Sequence, residues 1–301
     1  MREIGDIVRA FEGRPREQFA LATLVGSRGS SYRRPGARML IAANGRTAGS
    51  LSGGCLEGEV VERAREVLRT GVPALMEFET RRRFGCHGAI EIFVEQASHT
   101  FLAELAADFH ARRSSVVETV FAGDSSGTRI ARDTKDTTEL AFVQTIIPPP
   151  QLLVVGDGPD SIALRVIAEA LGWRVLDIAH ATELRGPFDR WTAAIVKTHN
   201  YGRDFAALRA LLPLDLPYIG LLGPRRRREQ LLGDLADTGL TAGPNLFAPA
   251  GLDLGGDSPE SIALAIVAEI QAVLTGGSRE SLRDRRVPIH AKIGEELAGA
   301  H

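Results

Sequence analysis

The hydrophobic and polar positions of the chain follow two different patterns, one before and one after the triple proline of residues 148–150. Before it, short apolar or alternating runs separated by Gly, Ser and Arg predict β-strands, with helical patterns among them. One pattern repeats every three or four residues over 56–68, which predicts a helix that begins at or beside Cys55 and stops before Gly71. We therefore expect an α+β domain over residues 1–148.

After the prolines, strand and helix patterns alternate. The stretch "QLLVVGDGPDSIALRVIAEALGWRVLDIAH" reads as strand, glycine-rich turn, helix and strand, and "AAIVKTH" and "PYIGLLG" predict further buried strands. This alternation predicts a Rossmann-like doubly wound parallel sheet over residues 149–275. A last helix, "SPESIALAIVAEIQAVL", has Asp257 as its expected N-cap, and an Arg-rich tail follows over 276–301. The fold class is thus α/β, an N-terminal α+β domain followed by a Rossmann-like domain.

Composition narrows the location and the partners. Lys and Arg number 36 against 38 Asp and Glu, so the net charge of −2 favours neither nucleic acid nor a membrane surface as a partner. Two cysteines do not make a disulfide scaffold, and the N-terminus lacks the apolar segment of a secretion signal. No run approaches the roughly 18 apolar residues of a membrane span. We therefore expect a cytoplasmic protein whose cysteines are free to react.

The segment "VVGDGPDSIA" partly matches a dinucleotide-binding turn. Gly156 and Gly158 match its first two glycines, and Asp177 ends the next strand about 20 residues later, where a ribose hydroxyl would be bound. Against this match, two aspartates place negative charge near a pyrophosphate, and a proline removes one amide donor. The turn therefore predicts either NAD(P) binding or tight packing of a strand on a helix.

A second candidate site lies in "KTHNYGRD", at the carboxyl end of the third predicted strand of this domain. Open α/β sheets bind ligands at that edge, where Thr198 and His199 offer a hydroxyl and an imidazole. His199 could instead cap a loop. With His199 as acid or base, the glycine turn makes an NAD(P)-dependent oxidoreductase the alternative function.

The segment "SLSGGCLEGEV" places Cys55 after Gly53 and Gly54 and before the predicted helix. The glycines let a ligand approach the backbone closely, and a helix start offers amides and a positive dipole end that favour the thiolate. A thiolate attacks electrophiles or binds soft metals. Upstream, "GSRGSSYRRPGARM" supplies hydroxyl and guanidinium groups that suit a phosphate, and the candidates in it are Ser30, Ser31, Arg34 and Arg38.

The second thiol, Cys86, lies between glycines in "FGCHG" beside His87. One Cys and one Cys-His pair in separate loops lack the repeated spacing of a structural zinc site. Two alternatives are open: inert buried cysteines, or a sulfur or soft-metal site formed where the two loops meet. The flanking glycines favour the second.

Six stretches of the sequence resemble the xanthine dehydrogenase accessory proteins of the XdhC/CoxI family. They are "GSRGSSYRRPGARML", "GRTAGSLSGGCLEGEVVERAREVL", "FGCHGAIEIFVE", "LLVVGDGPDSIA", "YIGLLGPRRRR" and "APAGLDLGGDSPESIALAIVAEI". The resemblance implies a protein that turns over no metabolite. It implies instead a chaperone that binds molybdenum cofactor (molybdopterin), guards it during sulfuration and hands it to a molybdenum hydroxylase such as xanthine dehydrogenase. A cysteine desulfurase is the other implied partner.

Three motifs depart from the family pattern. The second cysteine motif usually reads Cys-Gly-Gly, but here His87 follows the cysteine. Pro159 stands where the glycine turn usually has a histidine, and Ile178-Ala179 replace the Pro-Arg that usually follows Asp177. These departures weaken the nucleotide interpretation more than the fold.

We therefore expect a homodimeric cofactor chaperone with the cofactor between its two domains. Cys55 and Cys86 are the expected ligands of its metal or exchangeable sulfur. The expected cofactor-binding residues are Ser30, Ser31, Arg34, Arg38, Gly53, Gly54, Cys55, Glu57, Cys86, His87, Gly156, Gly158, Asp177, Thr198 and His199.

Overall fold

A computed structural model describes residues 2–29, 33–79, 88–131, 140–186 and 188–284. The described residues form two compact units that divide between Pro149 and Pro150, inside the triple proline.

The N-terminal unit is built on a five-stranded antiparallel sheet with the strand order β3-β2-β1-β5-β4. A second antiparallel sheet of three strands has the order β7-β6-β8. The elements are α1 (Arg2–Glu12), β1 (Phe19–Gly29), β2 (Arg38–Ala42), β3 (Thr47–Gly49), α2 (Glu57–Thr70), β4 (Ala74–Glu79), β5 (Gly88–Gln96), α3 (His99–His110), β6 (Ser115–Val120), β7 (Gly127–Ile130) and β8 (Ala141–Ile146).

Both faces of the five-stranded sheet are covered, because alternate residues of β1 belong to two different cores. Ala20 and Leu24 pack in the core that includes the apolar face of α2. Phe19 and Leu21 pack in the core that includes α1 and α3. This period of two explains why β1 reads as an almost continuous apolar run. The helix predicted beside Cys55 is α2. Its buried residues pack in the same core as Leu51 and Leu56 of the preceding loop, which anchors that loop.

The C-terminal unit is a five-stranded parallel sheet with the order β10-β9-β11-β12-β13. Helices α4 and α7 pack on one face and α5 and α6 on the other, which confirms the predicted doubly wound architecture. Its elements are β9 (Gln151–Val155), α4 (Pro159–Ala170), β10 (Arg174–Ile178), β11 (Thr192–Val196), α5 (Tyr201–Leu211), β12 (Tyr218–Leu221), α6 (Arg225–Asp237), β13 (Leu246–Phe247) and α7 (Pro259–Thr275). The strand order reverses between β9 and β11, so a ligand crevice is expected at the carboxyl ends of these two strands.

The N-cap expected for the last helix was wrong by one residue. Ser258, not Asp257, caps α7, and its hydroxyl accepts a hydrogen bond from the amide of Ser261 at 3.2 Å. The reason lies in Pro259, because a proline forces the residue before it into an extended conformation and so makes that residue the cap.

Candidate functional site

The loop of residues 50–56, which joins β3 to α2, is held by a small network of hydrogen bonds. The hydroxyl of Ser52 accepts from the amides of Gly54 and Cys55, both at 3.2 Å. The carboxylate of Glu57 accepts from the Ser52 amide at 2.9 Å, the Ser52 hydroxyl at 2.6 Å and the Leu56 amide at 3.1 Å. Glu57 therefore orders the loop that carries the cysteine.

The same network sets the protonation of Glu57. Burial raises the pKa of this carboxyl. The hydrogen bonds from the Ser52 side chain and from the loop amides lower it by more, so the net pKa lies below the usual glutamate value. Glu57 is thus ionised at neutral pH and keeps its acceptors available to the loop.

Cys55 is exposed, whereas the leucines at either side of the loop, Leu51 and Leu56, are buried. Gly54 has a left-handed backbone with φ of 105°, and a Cβ atom added there would meet nothing within 4 Å. The loop is therefore anchored at both ends and open at the thiol. A ligand can reach the sulfur without displacing a side chain at Gly54.

The start of α2 differs from the expected free dipole end. Its first turn carries two acidic residues, Glu57 and Glu59, and the Glu57 carboxylate lies against the loop amides. Carboxylates at a helix N-terminus offset the positive end of the dipole. The chain thus supplies its own negative charge at this helix start. The group that the loop offers to a ligand is the exposed thiol of Cys55.

The arginine-rich loop before β2 contacts the cysteine loop. Arg33 donates from Nη1 to the hydroxyl of Ser50 at 3.2 Å, and its other terminal nitrogen pairs with Glu3 of α1. Arg34 is exposed next to it. Two of the sequence-predicted segments therefore meet in the N-terminal unit. The candidates Ser30, Ser31, Cys86 and His87 lie outside the described residues.

Arg38 lies in the interior of the N-terminal unit and not in the open part of the arginine-rich loop. Its side chain is fully buried, and Nη1 donates to the Gly36 carbonyl at 3.0 Å and to Gln144 of β8. Burial lowers its pKa to about 10, although Glu3 and Glu95 act in the opposite direction. Nε and Nη2 have no hydrogen-bond partner among the described residues. Arg38 is thus an interior residue whose side chain joins β2 to β8, and its role in binding the cofactor stays a prediction.

In the C-terminal unit, the crevice side of the sheet holds a buried lysine that the sequence analysis missed. Lys197 follows β11 and is fully buried. Its Nζ donates to the carbonyl oxygen of Asp157 at 2.7 Å and to the hydroxyl of Ser161 at 2.8 Å, and it lies 3.0 Å from Oδ1 of Asp160. The ammonium group thereby joins β11 to the glycine turn and to the start of α4.

The other residues predicted at this edge mostly bond within the protein. The Thr198 hydroxyl donates to the buried Asp204 at 2.5 Å, and Asp177 pairs with Arg165 of α4. His199 is mainly exposed, with a left-handed φ of 55°, and its Nε2 lies 3.8 Å from Asp160. His199 therefore offers a solvent-facing imidazole at this edge of the sheet.

The described ranges contain no group of three or more His, Cys, Asp or Glu side chains placed to hold a metal ion. Within the same ranges, no helix has the length and apolar character that crossing a membrane requires. Whether Cys55 and Cys86 approach each other stays a prediction, since Cys86 lies outside these ranges.

Several known proteins are similar to this chain over most of its length. The chain is 29% identical to a probable xanthine dehydrogenase subunit of Bacillus subtilis, over 84% of this chain and 92% of that protein. It is 26% identical to the molybdenum cofactor insertion chaperone PaoD of Escherichia coli, over 84% of this chain and 82% of that protein. A crystal structure of a xanthine dehydrogenase from Bacillus halodurans has the same fold, with a TM-score of 0.76 at 24% identity over 93% of this chain and 98% of the other.

Two family models divide the chain much as the two units do. The model of the XdhC and CoxI family matches residues 14–79, which include the arginine-rich loop and the cysteine loop. The model of the XdhC Rossmann domain matches residues 152–270, from β9 into α7. The chain therefore belongs to the XdhC and CoxI family.

Proposed function

We propose that this protein binds molybdenum cofactor and delivers it to a molybdenum hydroxylase of the xanthine dehydrogenase type. The names of two relatives support an accessory role toward a molybdenum enzyme: one is a probable xanthine dehydrogenase subunit, and the other is a molybdenum cofactor insertion chaperone. The structural observation that carries the proposal is the exposed thiol of Cys55 on a loop that is anchored at both ends and open at its centre.

The chemistry of the loop suits this cargo. The cofactor presents a soft metal-sulfur centre and a phosphate, and a thiolate is a good partner for the first. Arg34, exposed beside Arg33, is the proposed partner of the phosphate, because one guanidinium group can donate two parallel hydrogen bonds to phosphate oxygens. Glu57 acts as a positioning residue, since its carboxylate accepts hydrogen bonds from Ser52 and Leu56 of the loop.

The proposal keeps several finer features of the sequence interpretation. Cys86 remains the proposed second sulfur, with His87, Ser30 and Ser31 in the adjoining segments. A cysteine desulfurase is the proposed sulfur donor, and the protein is proposed to act in the cytoplasm as a homodimer.

The test is cofactor retention by the protein made in a host that synthesises molybdenum cofactor. The native chain, Cys55→Ala and the control Ser125→Ala are purified rapidly without oxygen, and molybdenum and oxidised pterin are measured per chain. Ser125→Ala also removes one exposed heteroatom from the N-terminal unit. We expect close to one pterin per native chain, a similar amount in the control, and at least about a tenfold loss in Cys55→Ala, the equivalent of roughly 1.4 kcal/mol.

Because Cys55 is exposed, its substitution should leave the thermal midpoint within about 2 °C of native, consistent with the small effects of surface changes. Loss of pterin then reports the site and not the fold. Equal pterin in Cys55→Ala and native protein would exclude the thiol as a ligand. Native protein that carries no pterin, although the host makes the cofactor, would overturn the chaperone function.

A further inference from the structure

The glycine turn of residues 156–159 lies at the point where a Rossmann-type sheet binds a dinucleotide. It follows β9, precedes α4 and borders the reversal of strand order between β9 and β11. A dinucleotide places its pyrophosphate at the N-terminus of the helix, against free amides and beside glycines that leave room for it. A dinucleotide therefore needs room beside the glycines, an unoccupied helix start and a carboxylate at the end of the next strand for its ribose.

The room beside the two glycines is taken up by the protein itself. A Cβ atom at Gly156 would lie 2.8 Å from the carbonyl oxygen of Lys197, so this glycine allows β9 and β11 to pack closely. A Cβ atom at Gly158 would lie 3.2 Å from Oδ1 of Asp160 and 3.9 Å from Nζ of Lys197. Both glycines therefore serve contacts with Lys197 and Asp160, which accounts for them without a ligand.

The helix start is also occupied. Pro159 is the first residue of α4 and has no amide hydrogen to donate. Asp160, the second residue, places a largely buried carboxylate at the positive end of the helix, where it pairs with the fully buried Lys197. The charge that a pyrophosphate would bring is already present at this position, and its counter-ion is already bonded.

The residue expected to bind the ribose already has a partner within the protein. Asp177, at the end of β10, pairs with Arg165 of α4. In a dinucleotide-binding unit this carboxylate accepts hydrogen bonds from the ribose hydroxyls. Here its acceptor capacity is shared with a guanidinium group of the same unit.

We propose that Asp160, held by Lys197, is an internal anion that takes the place of a dinucleotide's pyrophosphate, so that this unit does not bind NAD(P) at its glycine turn. The residues present do not fit the cofactor that the fold suggests. Asp160 thereby excludes the pyrophosphate of a dinucleotide from the crevice. The inference is independent of the molybdenum cofactor proposal, because it concerns the C-terminal unit alone.

The test removes the carboxylate and keeps the lysine. In Asp160→Asn the ammonium group of Lys197 and the start of α4 face an uncharged amide, so an external anion should gain affinity. Asp157→Asn is the matched control, because it removes the same charge from the exposed neighbouring residue, which contacts Lys197 through its backbone carbonyl. Full-length native and variant proteins are titrated with reduced nicotinamide cofactor by fluorescence and with pyrophosphate by calorimetry.

We expect no binding of the nicotinamide cofactor by native protein up to about 1 mM. Asp160→Asn should bind pyrophosphate at least about tenfold more tightly than native or Asp157→Asn protein. The double variant Asp160→Asn, Lys197→Met should lose that gain. Asp160→Ser serves as a second variant if the asparagine protein does not fold, because it also removes the carboxylate and keeps a small polar side chain.

Two results would overturn the inference. One is micromolar binding of the nicotinamide cofactor by native protein. The other is a folded Asp160→Asn or Asp160→Ser protein whose pyrophosphate affinity equals that of the Asp157→Asn control.

Discussion

Two helix starts in this protein share a sequence plan and differ in what surrounds them. Residues 53–57 and residues 156–160 each place two glycines shortly before a helix that has an acidic residue in its first turn. In the N-terminal unit, the acid Glu57 bonds back to its own loop, and the cysteine next to it is exposed. In the C-terminal unit, the acid Asp160 pairs with a buried lysine from another strand.

The difference shows that a glycine-rich segment before a helix does not by itself indicate a ligand. A Cβ atom at Gly54 would meet nothing within 4 Å, whereas one at Gly156 would collide with the backbone of Lys197. The first glycine leaves a loop open, and the second lets two strands approach. The surroundings of each glycine decide between a binding site and a packing contact.

The largest expected effect comes from substituting the packed glycine. Gly156→Ala forces a Cβ atom to within 2.8 Å of a backbone oxygen at a φ of 121°, and we expect it to reduce the free energy of unfolding by about 4 kcal/mol or to prevent folding. Gly54→Ala meets only the cost of its left-handed backbone, about 1 to 2 kcal/mol. Urea denaturation of both variants measures the two values. Equal losses would contradict the distinction between an open and a packed glycine.

The next effect concerns the buried lysine. Lys197→Met removes three polar contacts and deprives the largely buried Asp160 carboxylate of its lysine partner, which we expect to cost about 3 kcal/mol of unfolding free energy. Arg174→Met is the control, because it removes an exposed cation from the neighbouring strand β10 and should change stability by no more than about 0.5 kcal/mol. The same denaturation experiment applies. If the two variants are equally stable, Lys197 does not hold the turn.

The smallest effect is expected at the open helix start. Glu57→Gln weakens the three hydrogen bonds that order the cysteine loop, at a cost of about 1 kcal/mol. The pKa of Glu57 is lowered in the folded protein, so its stabilising contribution is complete above the ordinary pKa of about 4.3 and is lost as the pH falls through the lowered folded value.

The native and Glu57→Gln proteins should therefore differ in stability at pH 7 and converge in acid. Glu59→Gln, an exposed acid in the same turn, serves as the control and should change stability by only about 0.3 kcal/mol at pH 7. A difference between native and Glu57→Gln protein that grows as the pH falls would show that the carboxylate does not order the loop.

Local patterns predicted much of the fold. The periodicity over 56–68 predicted α2, and the alternation of strands and helices after the prolines predicted the parallel sheet with helices on both faces. The arginine-rich loop and the cysteine loop were both treated as parts of one site; the structure shows that Arg33 and Ser50 join them by a hydrogen bond, and the shared site stays a prediction. Period and turn residues are short-range signals, which a sequence displays directly.

The long-range contacts were not predicted. Lys197 reads in the sequence as the polar end of a strand, and its partners lie about 40 residues earlier, brought beside it only by parallel pairing of β9 and β11. Arg38 was assigned to a phosphate because it follows a glycine-broken loop. A period of two in β2 places it on the same face as Leu40, which packs in the core with α1 and α3, and that alternation was the available signal of its burial.

The burial of Lys197 also makes its amine a chemical probe of local opening. The chain has only three lysines, and the other two, Lys135 and Lys292, lie outside the described residues. An acylating reagent can modify Lys197 only when its contacts with Asp157, Asp160 and Ser161 open. Peptide mass spectrometry can follow the rate at which this amine is acylated. That rate therefore reports local opening of the C-terminal unit under native conditions.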